Sequence, residues 1–220
     1  MTELKFSNST SLTGDIVDIL RDRILMGEYV IGEKIVENQI AAELCVSRTP
    51  IRDAFRQLEF EGLIDYVPHR GSYAKGFTKQ DMEDIYSVRK ALEQLAIEWA
   101  IKRIDDTEIA KLEEQMELME FYTKRKDCEK VMDINVAFHE IIYSAARSRF
   151  LAQILKSYQD YVQQARRATV SDEANLPIIA AEHKDILKAI IHKDTEDAIH
   201  RIGYHLDNSK NRAKIKWNIE

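Results

Sequence analysis

The sequence predicts a mainly α-helical protein in two parts: a small piece containing a β-ribbon up to residue 77, then an all-α bundle of about six helices. Three observations predict it. Apolar residues recur at helical spacing through most of the 220 residues. The β-type runs, LIDYV and GSYAKGF, both fall before Thr78. From Thr78 onward Pro177 is the sole proline and Gly203 the sole glycine, so little interrupts the helical periodicity.

Residues 11–26 set Ile16, Ile19, Leu20, Ile24 and Leu25 on one helical face, with Ser11 or Thr13 as N-cap. GEYVIGEKI follows, a short extended piece bracketed by glycines. A second helix, ENQIAAEL, turns Ile40, Ala41 and Leu44 inward and breaks at Cys45-Val46. The third helix spans 47–61, with Ser47 as N-cap, Pro50 in its first turn and Gly62 as the residue that ends it. Pro68-His69-Arg70-Gly71 then joins the two β-type runs. Beyond Thr78 the periodicity predicts helices at about 79–103, 106–126, 128–146, 148–170, 173–192 and 195–214. Two short helices with a tight break, followed by a ribbon, make the layout of a winged helix-turn-helix. The expected domains are therefore residues 1–77 and residues 78–220.

Composition narrows the function classes. With 45% hydrophobic and 32% charged residues, the chain has the profile of a helix-rich soluble protein. Its longest apolar runs are far short of the ~20 residues that span a bilayer. The polar start TELKFSNSTS has no apolar h-region, and Cys45 and Cys128 are far apart in no metal-like spacing. The expected compartment is the cytoplasm, with both thiols free. Net charge is −6, which argues against nucleic acid unless positive charge gathers locally.

It does gather on the third helix. Arg48, Arg52 and Arg56 stand at i, i+4 and i+8, along one face, while Ile51, Phe55 and Leu58 occupy the other. Such a helix can enter a major groove N-terminus first, with Ser47 and Thr49 on phosphates and an arginine on guanine O6 and N7. The wing tip His69-Arg70-Gly71 can reach the adjacent minor groove or its phosphates. The alternative for the three arginines is a solvated face shared with Asp53 and Glu59.

The stretch VSRTPIRDAFRQLEFEGL, followed by the P-x-R-G wing tip, resembles the N-terminal domain of the GntR family of bacterial repressors. The resemblance implies that Arg48 and Arg52 contact DNA, supported by Ser47, Thr49 and the wing. Two positions depart from it. Cys45 stands in the turn where the family usually has glycine, and Asn38 where some relatives place an arginine toward DNA.

Five of the six histidines lie in the helical part, and spacing alone does not say which converge. His139-Glu140 begins an H-E-x-x pattern, but Tyr143 replaces the second histidine of a metalloprotease. The pieces DIYSVRKALEQLAIEWA, NVAFHEII, AAEHKDILKAI and DTEDAIHRIGYHL resemble the FCD ligand-binding domain of one large GntR subgroup. The resemblance implies a divalent metal, zinc or nickel before others, held by Asn135, His139, His183 and His205. It places Arg89 near a bound small carboxylate, whereas Arg89 can equally pair with Glu93 at i+4. His192 and His200 are expected on the surface, as are Arg166 and Arg167. Trp99, Phe121, Phe138, Phe150 and Tyr161 are expected in the core or a subunit interface.

The function implied is a homodimeric, DNA-binding transcriptional regulator, a repressor, controlled by an organic acid bound at the metal. Two alternatives stay open: a constitutive DNA-binding regulator with a structural metal site, and a metal-dependent enzyme carrying a DNA-binding module. The enzyme would need a positioned base or nucleophile beside the metal.

Overall fold

The computed structural model describes residues 11–25, 27–76, 78–156 and 172–216. The chain separates into two compact units, Met1–Thr78 and Lys79–Glu220. Arg166, Arg167 and Tyr161 lie outside the described residues.

In the first unit the elements follow the order α1 (Leu12–Leu25), β1 (Lys34–Ile35), α2 (Glu37–Glu43), α3 (Arg48–Phe60), β2 (Ile64–Val67) and β3 (Gly71–Ala74). The piece expected to be extended between Gly27 and Gly32 forms turns, both glycines having positive φ, and the strand β1 begins only beyond the second glycine. Strand β3 lies between β1 and β2 in an antiparallel sheet. Helix α1 buries Ile16, Leu20 and Ile24, and α3 buries Ile51, Phe55 and Leu58, so the apolar stripes read from the sequence form the core. Arg21 fastens the two ends of this core. Its Nε and Nη2 donate to both oxygens of Glu61, the C-cap of α3, and its Nη1 to Asp18. The α2–α3 turn is a left-handed cap built without glycine: Cys45 has φ 54°, and the amides of Cys45 and Val46 donate to Ala42 O and Ala41 O.

The second unit contains α4 (Lys79–Arg103), α5 (Asp106–Lys124), α6 (Cys128–Ala145), a helical stretch α7 over 149–156, α8 (Leu176–Ile191) and α9 (Thr195–Lys216). A 3-10 turn, Glu173–Asn175, precedes α8, whose start is set by Pro177 in its first turn. Helices α5 and α6 stop one to two residues before the spacing predicts. The reason is local: Lys126 and Arg147 adopt φ 60° and 51°, so each chain leaves the helix through a left-handed residue that is not glycine. Asp105 caps α5 in a full capping box with Glu108.

The core of this unit runs through Ile97, Leu112, Met119, Val131, Phe138, Ile142, Ile186, Ile190, Ile202 and Leu206. Trp99 packs against it and Phe138 is inside it, whereas Phe121 and Phe150 are exposed. Polar groups also enter the interior. Arg89, Glu93, Asn135, His139, Glu182, His183 and His205 are all buried there.

Candidate nucleic-acid interface and candidate metal centre

Helix α3 presents two faces of opposite character. Ile51, Ala54, Phe55 and Leu58 are buried, while Arg48, Thr49, Arg52 and Arg56 are exposed. Ser47 is exposed at the N-cap position with extended backbone, but its side chain makes no cap hydrogen bond. The predicted cap is thus correct in place and wanting in its bond. Arg56 Nη1 approaches Asp53 at 3.4 Å, a weak contact on its own helix, so part of the solvated-face alternative is present. Arg52 is different. Its Nε donates to Glu37 Oε2 on α2 at 2.9 Å.

The wing tip lies between β2 and β3. Pro68, His69 and Arg70 are exposed, and His69 turns the chain with φ 63°. Gly71 has φ 104°, a backbone conformation that favours glycine, and a Cβ there would come within 3.1 Å of the end of the Lys34 side chain. Lys34 on β1 therefore packs beside the wing, which the sequence alone did not reveal.

In the helical unit three of the five histidines converge. His139 on α6, His183 on α8 and His205 on α9 each offer a ligand nitrogen, and these atoms lie within 4.8 Å of one another. The ring centroids of His139 and His183 are 5.3 Å apart, and those of His183 and His205 are 4.5 Å apart. His192 and His200 are exposed and take no part.

Each ring is oriented through its other nitrogen. His139 Nδ1 bonds Glu93 Oε2, His205 Nδ1 bonds Glu182 Oε2, and His183 Nδ1 donates to Ile179 O, all at 2.8 Å. A histidine whose Nδ1–H is donated offers the Nε2 lone pair to an ion, and such outer partners fix ring orientation and tautomer. The donor set fits a first-row divalent ion: three imidazoles from three helices. Asn135, buried on α6 one turn before His139, stands on the same helical face.

The two carboxylates are themselves held. Arg89 Nε donates to Glu93 Oε1, so the i+4 pairing foreseen as an alternative is formed. It engages only one edge of the guanidinium, because Arg89 Nη1 and Nη2 are buried with no hydrogen-bond partner, as is Tyr86 Oη one turn earlier. Burial works against the Arg89 cation, yet Glu93 and the Tyr143 and Tyr86 hydroxyls raise its pKa above the ordinary arginine value. Glu182 receives both Arg212 Nη atoms and Asn208 Nδ2 as well as His205. Burial opposes its ionisation, but the bonds from His205 and Arg212 outweigh burial and lower its pKa to about 2.

Glu93 as a partner of His139, and Glu182 as a partner of His205, escaped the sequence reading. Glu182 adjoins His183, but neighbouring residues on a helix project about 100° apart, so it meets the third histidine instead.

The whole chain has relatives with the same two parts. Residues 12–73 match "Bacterial regulatory proteins, gntR family", and residues 84–208 match the FCD domain. The chain is 30% identical, over 97% of its length and 96% of the relative, to the uncharacterized HTH-type transcriptional regulator YdhC of Bacillus subtilis. It is 27% identical to the gluconate operon transcriptional repressor of Bacillus licheniformis, over 90% of this chain and 83% of that one. The fold matches the solved structure of McbR/YncC from E. coli with a TM-score of 0.74 at 20% identity, covering 95% of this chain and 100% of that chain. Among the described residues no helix is long and apolar enough to cross a membrane. The chain belongs to the gntR family of bacterial regulatory proteins, with an FCD domain behind its helix-turn-helix, and is a transcriptional regulator rather than an enzyme.

Proposed function

We propose that this regulator is a cytoplasmic homodimeric repressor whose operator affinity is set by a small carboxylate bound beside a metal ion in the helical unit. The observation that carries the reading is the buried His139–His183–His205 cluster next to an arginine with two unpartnered Nη atoms. His139, His183 and His205 would hold the ion, with Asn135 as the fourth donor. The ion, zinc or nickel by its donor set, would supply positive charge and open coordination positions to an oxygen ligand.

The charge balance favours an anion. Arg89 and Arg212 offset Glu93 and Glu182, and Asn135 adds no charge. A divalent ion would leave two uncompensated positive charges in the interior, and a carboxylate reduces that imbalance. Arg89 Nη1 and Nη2 supply the paired donors that a carboxylate accepts, and Tyr86 Oη one more. At the other end of the chain, Arg48 and Arg52 would reach base edges from the N-terminal half of α3. Ser47 and Thr49 would donate to phosphates, Arg56 would add positive charge farther along, and His69, Arg70 and Gly71 would carry the wing to the minor groove.

Metal content, melting temperature and the linkage between acid and operator binding test this. Untagged protein is expected to carry about one metal per chain. Its melting temperature should rise when small organic acids are added with zinc or nickel present. The acid that raises it should weaken binding to operator DNA, and operator should weaken acid binding by the same factor. Protein without metal, and with no melting response to metal plus acids, would instead favour the constitutive regulator. An acid affinity unchanged by operator would sink the allosteric part.

A further inference from the structure

The winged unit contains an ion pair that DNA contact by itself does not require. Glu37 opens α2 behind Val36, an N-cap residue with no side-chain cap bond, so its carboxylate sits where the helix dipole favours it. From there it accepts from Arg52 Nε on α3. The Glu37 side chain is 28% exposed and that of Arg52 is 56% exposed, on one groove with Phe55, Arg56, Glu59, Tyr66 and Ser72.

A carboxylate beside a surface meant for phosphates is electrostatically adverse unless it acts through something else. Arginine has five N–H donors in a rigid planar fork. With Nε held, its end-on pair, Nη1 and Nη2, is what remains for a base, and that pair matches guanine O6 and N7. The carboxylate also fixes the guanidinium plane before contact, which lessens the entropy lost on binding. Arg56 has no comparable support, since its carboxylate contact is the long one to Asp53 on its own helix.

We infer that Glu37 is a positioning residue: it aims the Nη fork of Arg52 at a guanine, and sequence preference depends on it although it touches no base. The inference rests on the reading of α3 as the helix that enters the major groove.

Selection from a pool of random DNA duplexes needs no known operator and separates the two ideas. The full chain, Arg52→Ala, Glu37→Ala and Glu37→Gln are each used, with a melting curve for every variant. The parent chain should enrich sites containing a defined guanine. Arg52→Ala and Glu37→Ala should both weaken preference for that guanine by about tenfold. Glu37→Gln keeps a carbonyl oxygen for Nε and should retain most of the preference. Binding of Glu37→Ala to duplexes outside the enriched set should not fall, because a negative charge has been removed. Enrichment of the same guanine by Glu37→Ala, with tighter binding to all duplexes, would reduce Glu37 to a repulsive charge and overturn the inference. Equal loss of all duplex binding together with a lowered melting temperature would make it a residue of the fold and overturn it too. If Arg52→Ala still selects the parent site, the α3 reading fails instead.

Discussion

Arg52 and Arg89 use the same edge of the same side chain. Each donates Nε to a glutamate oxygen, Arg52 to Glu37 and Arg89 to Glu93. Their surroundings differ completely: the Arg52 side chain is 56% exposed and the Arg89 side chain is 1% exposed. In water the ion pair is weak and the remaining donors are solvated, so the arrangement directs a side chain without supporting the fold. In the interior the same arrangement is a structural necessity, because an unpaired charge there is strongly destabilising. The N-terminal unit therefore keeps its chemistry on a surface separable from its core. The helical unit has built its chemistry into the core itself.

Substitutions can break or sharpen this contrast. Glu93→Gln should have the largest effect on stability. It strips Arg89 of its counter-charge and His139 of its carboxylate, and chemical denaturation should report a loss of about 3 kcal/mol or more. A loss below about 1 kcal/mol would mean that the interior pair is no more valuable than a surface one. Cys45→Gly should act next, and in the opposite direction. Cys45 is exposed and holds φ 54°, a conformation that glycine adopts without Cβ strain. The gain should be about 1 kcal/mol by the same measurement. Smallest of all, Arg52→Ala should change stability by no more than about 0.5 kcal/mol even as preference for its guanine falls about tenfold. A clear drop in melting temperature for that variant would erase the distinction between the two units.

The contrast also explains which features were legible in the amino-acid sequence. The stripe Ile51–Phe55–Leu58 and the opposed Arg48–Arg52–Arg56 belong to one helix, so periodicity alone places both faces. The turn at Pro68–Gly71 is equally local. The partners of the buried histidines are not. His139 reaches Glu93 across 46 residues and His205 reaches Glu182 across 23, and no local pattern signals either pairing. The histidines themselves came from the resemblance, since spacing could not choose three from five. Helix ends were blurred where Lys126 and Arg147 take the role that glycine usually advertises. Strand β1, only two residues long, is stabilised by pairing with β3 and has little propensity of its own to read.

The four oxygens of Glu93 and Glu182 set a limit on what this fold can become. Glu93 gives one oxygen to Arg89 and one to His139, while Glu182 divides its two among His205, Asn208 and Arg212. A pocket with bound metal drifts toward hydrolysis when a nearby carboxylate is at liberty to activate water. Here neither is, and releasing one would strand Arg89 or Arg212 in the interior. If the histidine cluster holds a metal ion as proposed, no single substitution at these two glutamates supplies the free base that hydrolysis needs without costing the interior a counter-charge.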